Sequence, residues 1–205
     1  MSFTLQIGDP APEFDLPGVD GKRHSLHNFD GCRVLVVVFS CNHCPYVIGS
    51  EERMSEFCLR YAPKGVGFVA INSNETDNHP TDSLEHMIER SKEKNFPFPY
   101  LRDESQDVAH AYGALRTPHY FVFTHENCGA GGVHPTGRWL LRYTGRMDDN
   151  PRQPGMERTH ELRDAVDALL AGEKPKVEVT NPIGCNVKWK GKPAKWMPPE
   201  ACDLV

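Results

Sequence analysis

The run Val34-Leu35-Val36-Val37-Val38-Phe39 constrains this chain more than any other stretch. It is apolar throughout and mostly β-branched, with no polar residue to turn toward water. Such a run reads as a central strand covered on both faces. Cys41 follows two residues on, then Asn42, His43, Cys44 and Pro45. A proline here suits the first turn of a helix, where its missing N–H has no partner in any case. Beyond it Val47, Ile48, Met54, Phe57, Cys58 and Tyr61 recur on one face, while Glu51, Glu52, Arg53, Glu56 and Arg60 fall mostly elsewhere. Lys64-Gly65 predicts the helix end. The order is strand, thiol pair, helix.

That order carries chemistry. A free thiol ionises near ~8.5, but Cys-x-x-Cys thiols at helix starts fall to about 3.5 to 7.5, because free N–H groups and the helix dipole favour the anion. The thiolate is the form that attacks a disulfide or a peroxide. The spacing predicts Cys41 as the nucleophile and the more exposed thiol, with Cys44 one turn on to close a disulfide. His43 would add positive charge when protonated. A structural zinc site usually takes four nitrogen or sulfur ligands, often from two cysteine pairs. One pair is present, so neither a metal nor another cofactor is expected.

The rest of the chain reads as one α/β domain. Asp20-Gly21 marks a turn. Gly67 to Asn72 predicts a strand parallel to the first through a crossover helix. Ser83 to Asn95 predicts a helix with Leu84, Met87 and Ile88 inward. Phe96 to Leu101 is extended, and Gln106 to Gly113 is a short helix. Tyr120 to Phe123 is a strand, Glu126 to Thr136 a hairpin loop and Arg138 to Tyr143 the returning strand. Thr159 is expected to cap a helix that ends at Gly172. Residues 1–172 thus form the domain. Residues 173–205, rich in proline, form a tail packed on it.

Composition excludes several classes. The net charge is −5 with no basic block, which argues against nucleic acid. The first sixteen residues do not read as a secretory leader, and no stretch approaches the roughly 20 apolar residues of a membrane span. Seven cysteines, an odd number at irregular spacing, do not form a secreted disulfide framework, so a cytoplasmic location is expected.

Gly8-Asp9-Pro10-Ala11-Pro12-Glu13-Phe14, Asp20-Gly21-Lys22, Leu26, the apolar strand and Phe39 before the cysteines together resemble the redoxin branch of the thioredoxin superfamily, with its peroxiredoxins and alkyl-hydroperoxide-reductase-like proteins. Phe98 to Gly113 resembles the run before that branch's substrate loop. Cys41-Asn42-His43-Cys44-Pro45-Tyr46-Val47 and Asn181 to Lys190 resemble a narrower peroxiredoxin-like group. The resemblance implies a thioredoxin-like fold: a mixed central sheet flanked by helices, with an N-terminal extension. It implies that Thr117-Pro118 is the cis-proline loop that binds substrate as an added strand beside the thiols.

It also implies thiol–disulfide oxidoreduction through Cys41 and Cys44. The alternative is a thiol peroxidase with Cys41 peroxidatic and Cys44 or Cys185 resolving. A third reading is a redox-inert binding module. Substrates would be protein or small-molecule disulfides, or peroxides, with a thiol reductant as partner. Peroxiredoxins carry a proline and a threonine or serine at fixed places before the reactive cysteine. Counted from Cys41 those places hold Val34 and Val38, and counted from Cys44 they hold Val37 and Cys41. Cys58 is expected in the core, and Cys32, Cys128 and Cys202 as incidental thiols. Arg116 and Arg146 are expected as solvated charges, and Trp139, Trp189 and Trp196 as packing residues.

Overall fold

The computed structural model describes residues 3–126, 137–199 and 201. Strands β1 (Asp15–Pro17) and β2 (Arg23–Ser25) pair antiparallel around the Asp20-Gly21 turn. All seven residues of β3 (Val34–Ser40) are buried. Helices α1 (Pro45–Ile48) and α2 (Glu51–Tyr61) lead through a short 3-10 turn to Gly65, whose left-handed φ of 82° ends the helical segment. Then come β4 (Val66–Asn72), α3 (Leu84–Lys94), β5 (Tyr100–Arg102) and α4 (Asp107–Tyr112). Strands β6 (Arg116–Thr117), β7 (His119–His125) and β8 (Trp139–Gly145), helix α5 (Glu161–Leu170) and strand β9 (Cys185–Asn186) complete the order.

The main sheet has five strands in the order β5-β4-β3-β7-β8. β3 runs parallel to β4 and antiparallel to β7, so the sheet is mixed with β3 at its centre. Side chains alternate across a strand. Val34, Val36 and Val38 therefore pack on one face with Met54, Phe57, Met87 and Val166. Leu35, Val37 and Phe39 pack on the other with Phe14, Tyr112, Trp139 and Trp189. Each fully buried aliphatic side chain contributes about 1.5–3 kcal/mol.

Two expectations are corrected. The single helix expected from Pro45 to Lys64 is broken at Gly49-Ser50. A Cβ on Gly49 would lie 2.5 Å from the Pro151 carbonyl oxygen, so this close approach requires glycine. The Ser50 hydroxyl also donates to the carbonyls of Tyr46 (2.9 Å) and Val47 (3.0 Å), competing with the helical ladder. The break rotates Ile48 away from the core, to 46% exposure. At the last helix, His160 rather than Thr159 takes the N-cap position. Most of the expected 126–136 hairpin loop, with Cys128, and Cys202 lie outside the described residues. Among the described residues no helix is long and apolar enough to cross a membrane.

Candidate active site

The carboxyl end of β3 delivers Cys41 directly, and the chain turns through Asn42 and His43 to Cys44, the N-cap of α1. Cys44, and not Cys41, thus stands at the helix start. α1 is a single turn, so the dipole argument made for Cys41 loses most of its force. Neither sulfur is open to solvent: Cys41 is 1% and Cys44 0% exposed. Both belong to the core cluster on one face of the sheet, with Cys185 packed against it.

Three segments meet around the sulfurs. The Thr117–Pro118 peptide bond is cis, as the resemblance implied. The Cys41 thiol donates to Thr117 Oγ1 at 3.4 Å, and the Cys44 thiol donates to the Thr117 carbonyl at 3.1 Å. β9 pairs antiparallel with β6, and Cys185 stands directly opposite Thr117. The edge expected to receive a substrate strand is therefore filled by the chain's own tail. All five described cysteines are free thiols.

Their surroundings push the two thiols of the pair in opposite directions. A hydrogen bond from Cys41 is the main cause that lowers Cys44 to about 5; burial opposes it, and the Cys185 thiol and the Val47 backbone N–H add to it. The Val47 contact stops short of a full capping hydrogen bond. Cys41 is pushed well above the ordinary thiol range by burial, by donating to Cys44 and by the negative charge of Asp82. The two thiols of the pair are thus displaced in opposite directions, Cys44 downward and Cys41 upward. Cys185 is raised to about 11, first by burial and then by the Cys44 anion.

Asp82 is the residue the sequence reading missed. Its carboxylate is fully buried. It accepts from the Asn42 backbone N–H (2.7 Å), His43 Nδ1 (2.7 Å), Asn72 Nδ2 (3.2 Å) and Asn74 Nδ2 (2.9 Å). Burial pushes its pKa up, but His43 and the Asn42 N–H outweigh burial and hold it below the usual carboxylate range. His43 is thus turned onto Asp82 rather than onto the thiols, and its ring stacks on His79 at 4.9 Å. Donor atoms of Cys41, His43 and Asp82 lie within 4.8 Å of one another, a spacing a metal ion could use. The Asp82 oxygens are, however, already committed to the four donors just named. The signal in the sequence was weak: one aspartate in a polar loop that reads as solvated.

The other expected residues separate. Arg116 Nη1 donates to the Gly184 carbonyl at 3.5 Å and binds the Asn186 side chain, so it holds the tail. Arg146 pairs with Glu161 at 2.9 Å. Cys58 is in the core; Cys32 is partly buried against the opposite cluster. Trp139 and Trp189 are buried, and Trp196 packs beside them. An open cavity of about 480 Å³ lined by Arg53, Glu56, Arg60 and His160 contains no cysteine.

The redoxin family model matches residues 6–128. The thiol-disulfide oxidoreductase ResA of Bacillus cereus (strain ATCC 10987 / NRS 248) is 27% identical over 124 residues, 58% of this chain and 64% of that protein. The match thus spans just under two thirds of the length of that relative. The peroxiredoxin Bcp of Escherichia coli (strain K12) is 28% identical over 134 residues, 63% of this chain and 75% of that protein. Among solved structures, an uncharacterized conserved protein from Geobacillus kaustophilus superposes with TM-score 0.80 and 36% identity, covering 94% of this chain and 96% of that one. A thioredoxin-like protein solved in its oxidized form superposes with TM-score 0.59 at 18% identity, covering 82% of this chain and 99% of that one, a likeness of fold.

Proposed function

This chain belongs to the redoxin family of thioredoxin-fold proteins, and from that premise we propose that it is a thiol–disulfide oxidoreductase in which Cys44 attacks and Cys41 resolves. The observation that carries the reading is geometric: Cys44 is the N-cap of α1, and its sulfur lies 3.1 Å from the carbonyl of Thr117, the residue before the cis proline; its thiol is also pushed downward, to about 5. At neutral pH Cys44 is then a thiolate. It attacks one sulfur of a substrate disulfide, that S–S bond breaks, and the released thiolate takes up a proton. Cys41 gives up its proton and attacks the Cys44 sulfur. The second substrate thiol leaves, and Cys41–Cys44 is the new disulfide. Two protein thiols are oxidised and one disulfide is reduced. Thr117 and Pro118 form the wall beside the exchange.

The sequence expectation gave the attacking role to Cys41. The positions of the helix start and of Asp82 favour Cys44 instead. Substrates in this reading are protein or small-molecule disulfides, and a thiol reductant returns the pair to its reduced form. The odd count of seven cysteines supports a reducing, cytoplasmic compartment for this chemistry. The test is reduction of hydroxyethyl disulfide by the wild-type protein, Cys44→Ser and Cys41→Ser. Cys44→Ser should fall to the uncatalysed background, while Cys41→Ser should stop after one exchange with Cys44 held in a disulfide. Equal rates in wild type and Cys44→Ser would remove the reading and leave a redox-inert scaffold.

One observation favours a second reading, a thiol peroxidase. Counted from Cys44, the place that holds a hydroxyl residue in peroxiredoxins is Cys41, and both sulfurs face Thr117, Cys41 at its hydroxyl and Cys44 at its carbonyl. Cys44 would take one oxygen from a hydroperoxide to become a sulfenic acid, releasing an alcohol or water. Cys41 or Cys185 would then condense with it and release water. Peroxide consumption no faster than that of free cysteine excludes this reading.

A further inference from the structure

We propose that Cys185 is a relay thiol that carries disulfides between the buried Cys41–Cys44 pair and partners outside the protein. The proposal rests on the reading that Cys41 and Cys44 are the redox pair. Both sulfurs of that pair are sealed, at 1% and 0% exposure. With β9 seated, direct approach of an external sulfur to either is slow, since the strand must lift first. Cys185 is partly exposed, yet it stands opposite Thr117, whose carbonyl is 3.1 Å from the Cys44 sulfur. It therefore touches both the pair and the surface.

The seat of this strand is built closely. A Cβ on Gly184 would lie 2.2 Å from the Thr117 carbonyl oxygen, so only glycine lets the strand lie this close. The Val187 N–H donates to the Leu115 carbonyl at 3.2 Å, and Arg116 grips Gly184 and Asn186 from beside it. Val187 and Trp189 are buried in the opposite core cluster and anchor the next residues. Cys185 thus occupies the place of a substrate cysteine on an added strand.

The relay step conserves electrons. Cys185 gives up its proton and attacks the Cys44 sulfur of the Cys41–Cys44 disulfide. That bond breaks, Cys41 leaves as a thiolate and takes a proton, and Cys44–Cys185 is formed. An external thiol then attacks the Cys185 sulfur and releases Cys44 as a thiolate. A second external thiol attacks the first one's sulfur, releasing an external disulfide and the Cys185 thiol. The order suits the charges. In the reduced protein burial and the Cys44 anion keep Cys185 protonated. Once Cys44 is in a disulfide the anion is gone, and Lys188 and Arg116, which both pull Cys185 downward, act against burial alone.

The experiment oxidises the full chain with hydroxyethyl disulfide, blocks free thiols and maps linked peptides, then follows re-reduction by glutathione. In Cys41→Ser we expect a Cys44–Cys185 disulfide. In Cys185→Ser we expect a Cys41–Cys44 disulfide that glutathione reduces about tenfold more slowly than in wild type, because the partly exposed relay sulfur is gone and only the slow direct approach remains. Cys185 remaining fully blockable in Cys41→Ser, or wild-type re-reduction in Cys185→Ser, overturns the relay. If Cys41–Cys44 still forms in wild type and in Cys185→Ser, the reading of the pair stands. No disulfide at Cys44 in any variant overturns both.

Discussion

The Cys44 thiol points at the backbone carbonyl of Thr117, 3.1 Å away, and Thr117 is paired on its other side with Cys185. One residue thus touches the ionised thiol and aligns the tail cysteine with it. When Cys44 ionises it gives up the bond to that carbonyl and depends on Cys41 as donor.

The dependence on Cys41 sets the first prediction. Cys41→Ala removes the largest cause of the low Cys44 value, so its titration should move up from about 5. Thiolate absorbance in the ultraviolet against pH measures this. An unchanged midpoint would mean that Cys41 does not donate to Cys44.

The same shift predicts a pH-dependent stability. Cys44 titrates near 5 in the folded protein against 9.0 for an unperturbed thiol. Its stabilising contribution is therefore full above about 9 and is lost as pH falls through about 5. Cys41, shifted upward, contributes fully below about 9 and loses its contribution only as pH rises through its own raised value. The reduced wild type should gain stability between pH 5 and 9 relative to Cys44→Ser, in denaturant titrations. Parallel curves would contradict the assignment.

Asp82 should be a structural determinant of the thiol loop. Asp82→Ala removes the acceptor of the Asn42 N–H, His43 and Asn74, and one of the two acceptors of Asn72. Removing one partner from such a buried cluster costs about 3 kcal/mol or more. Because its carboxyl is held below 3.8, the contribution should be present above about pH 4 and lost as pH falls through the folded value. Urea unfolding of wild type and variant at neutral and acid pH measures both.

Gly184→Val should unseat β9 without reaching the main sheet, since the new side chain would collide with the Thr117 carbonyl. Alkylation of Cys44 and Cys185 should accelerate together while the far-ultraviolet dichroism stays that of wild type. Unchanged alkylation of Cys44 would show that the tail strand is not what covers it.

Gly49→Ala tests the helix break. The added Cβ would meet the Pro151 carbonyl, so either the 150–152 backbone or α1 must shift. A loss of about 1–3 kcal/mol is expected from such overpacking. A gain in stability, as at an ordinary helical glycine, would show that the approach is not tight.

The sequence determined the frame. The apolar run alternates between two faces of β3, and the thiol spacing, the helix-ending Gly65 and the threonine-proline before β7 are all written in neighbouring residues, where period and turn chemistry act locally. Tertiary structure decided what surrounds each sulfur. A thiol's ionisation depends on what stands within a few ångströms, and here that is Asp82 from the loop after β4, Thr117 from β6 and Cys185 from the tail. Sequence order gives no measure of those distances. Local pattern therefore marked Cys41 and Cys44 as a pair, and long-range packing gave the two sulfurs different surroundings.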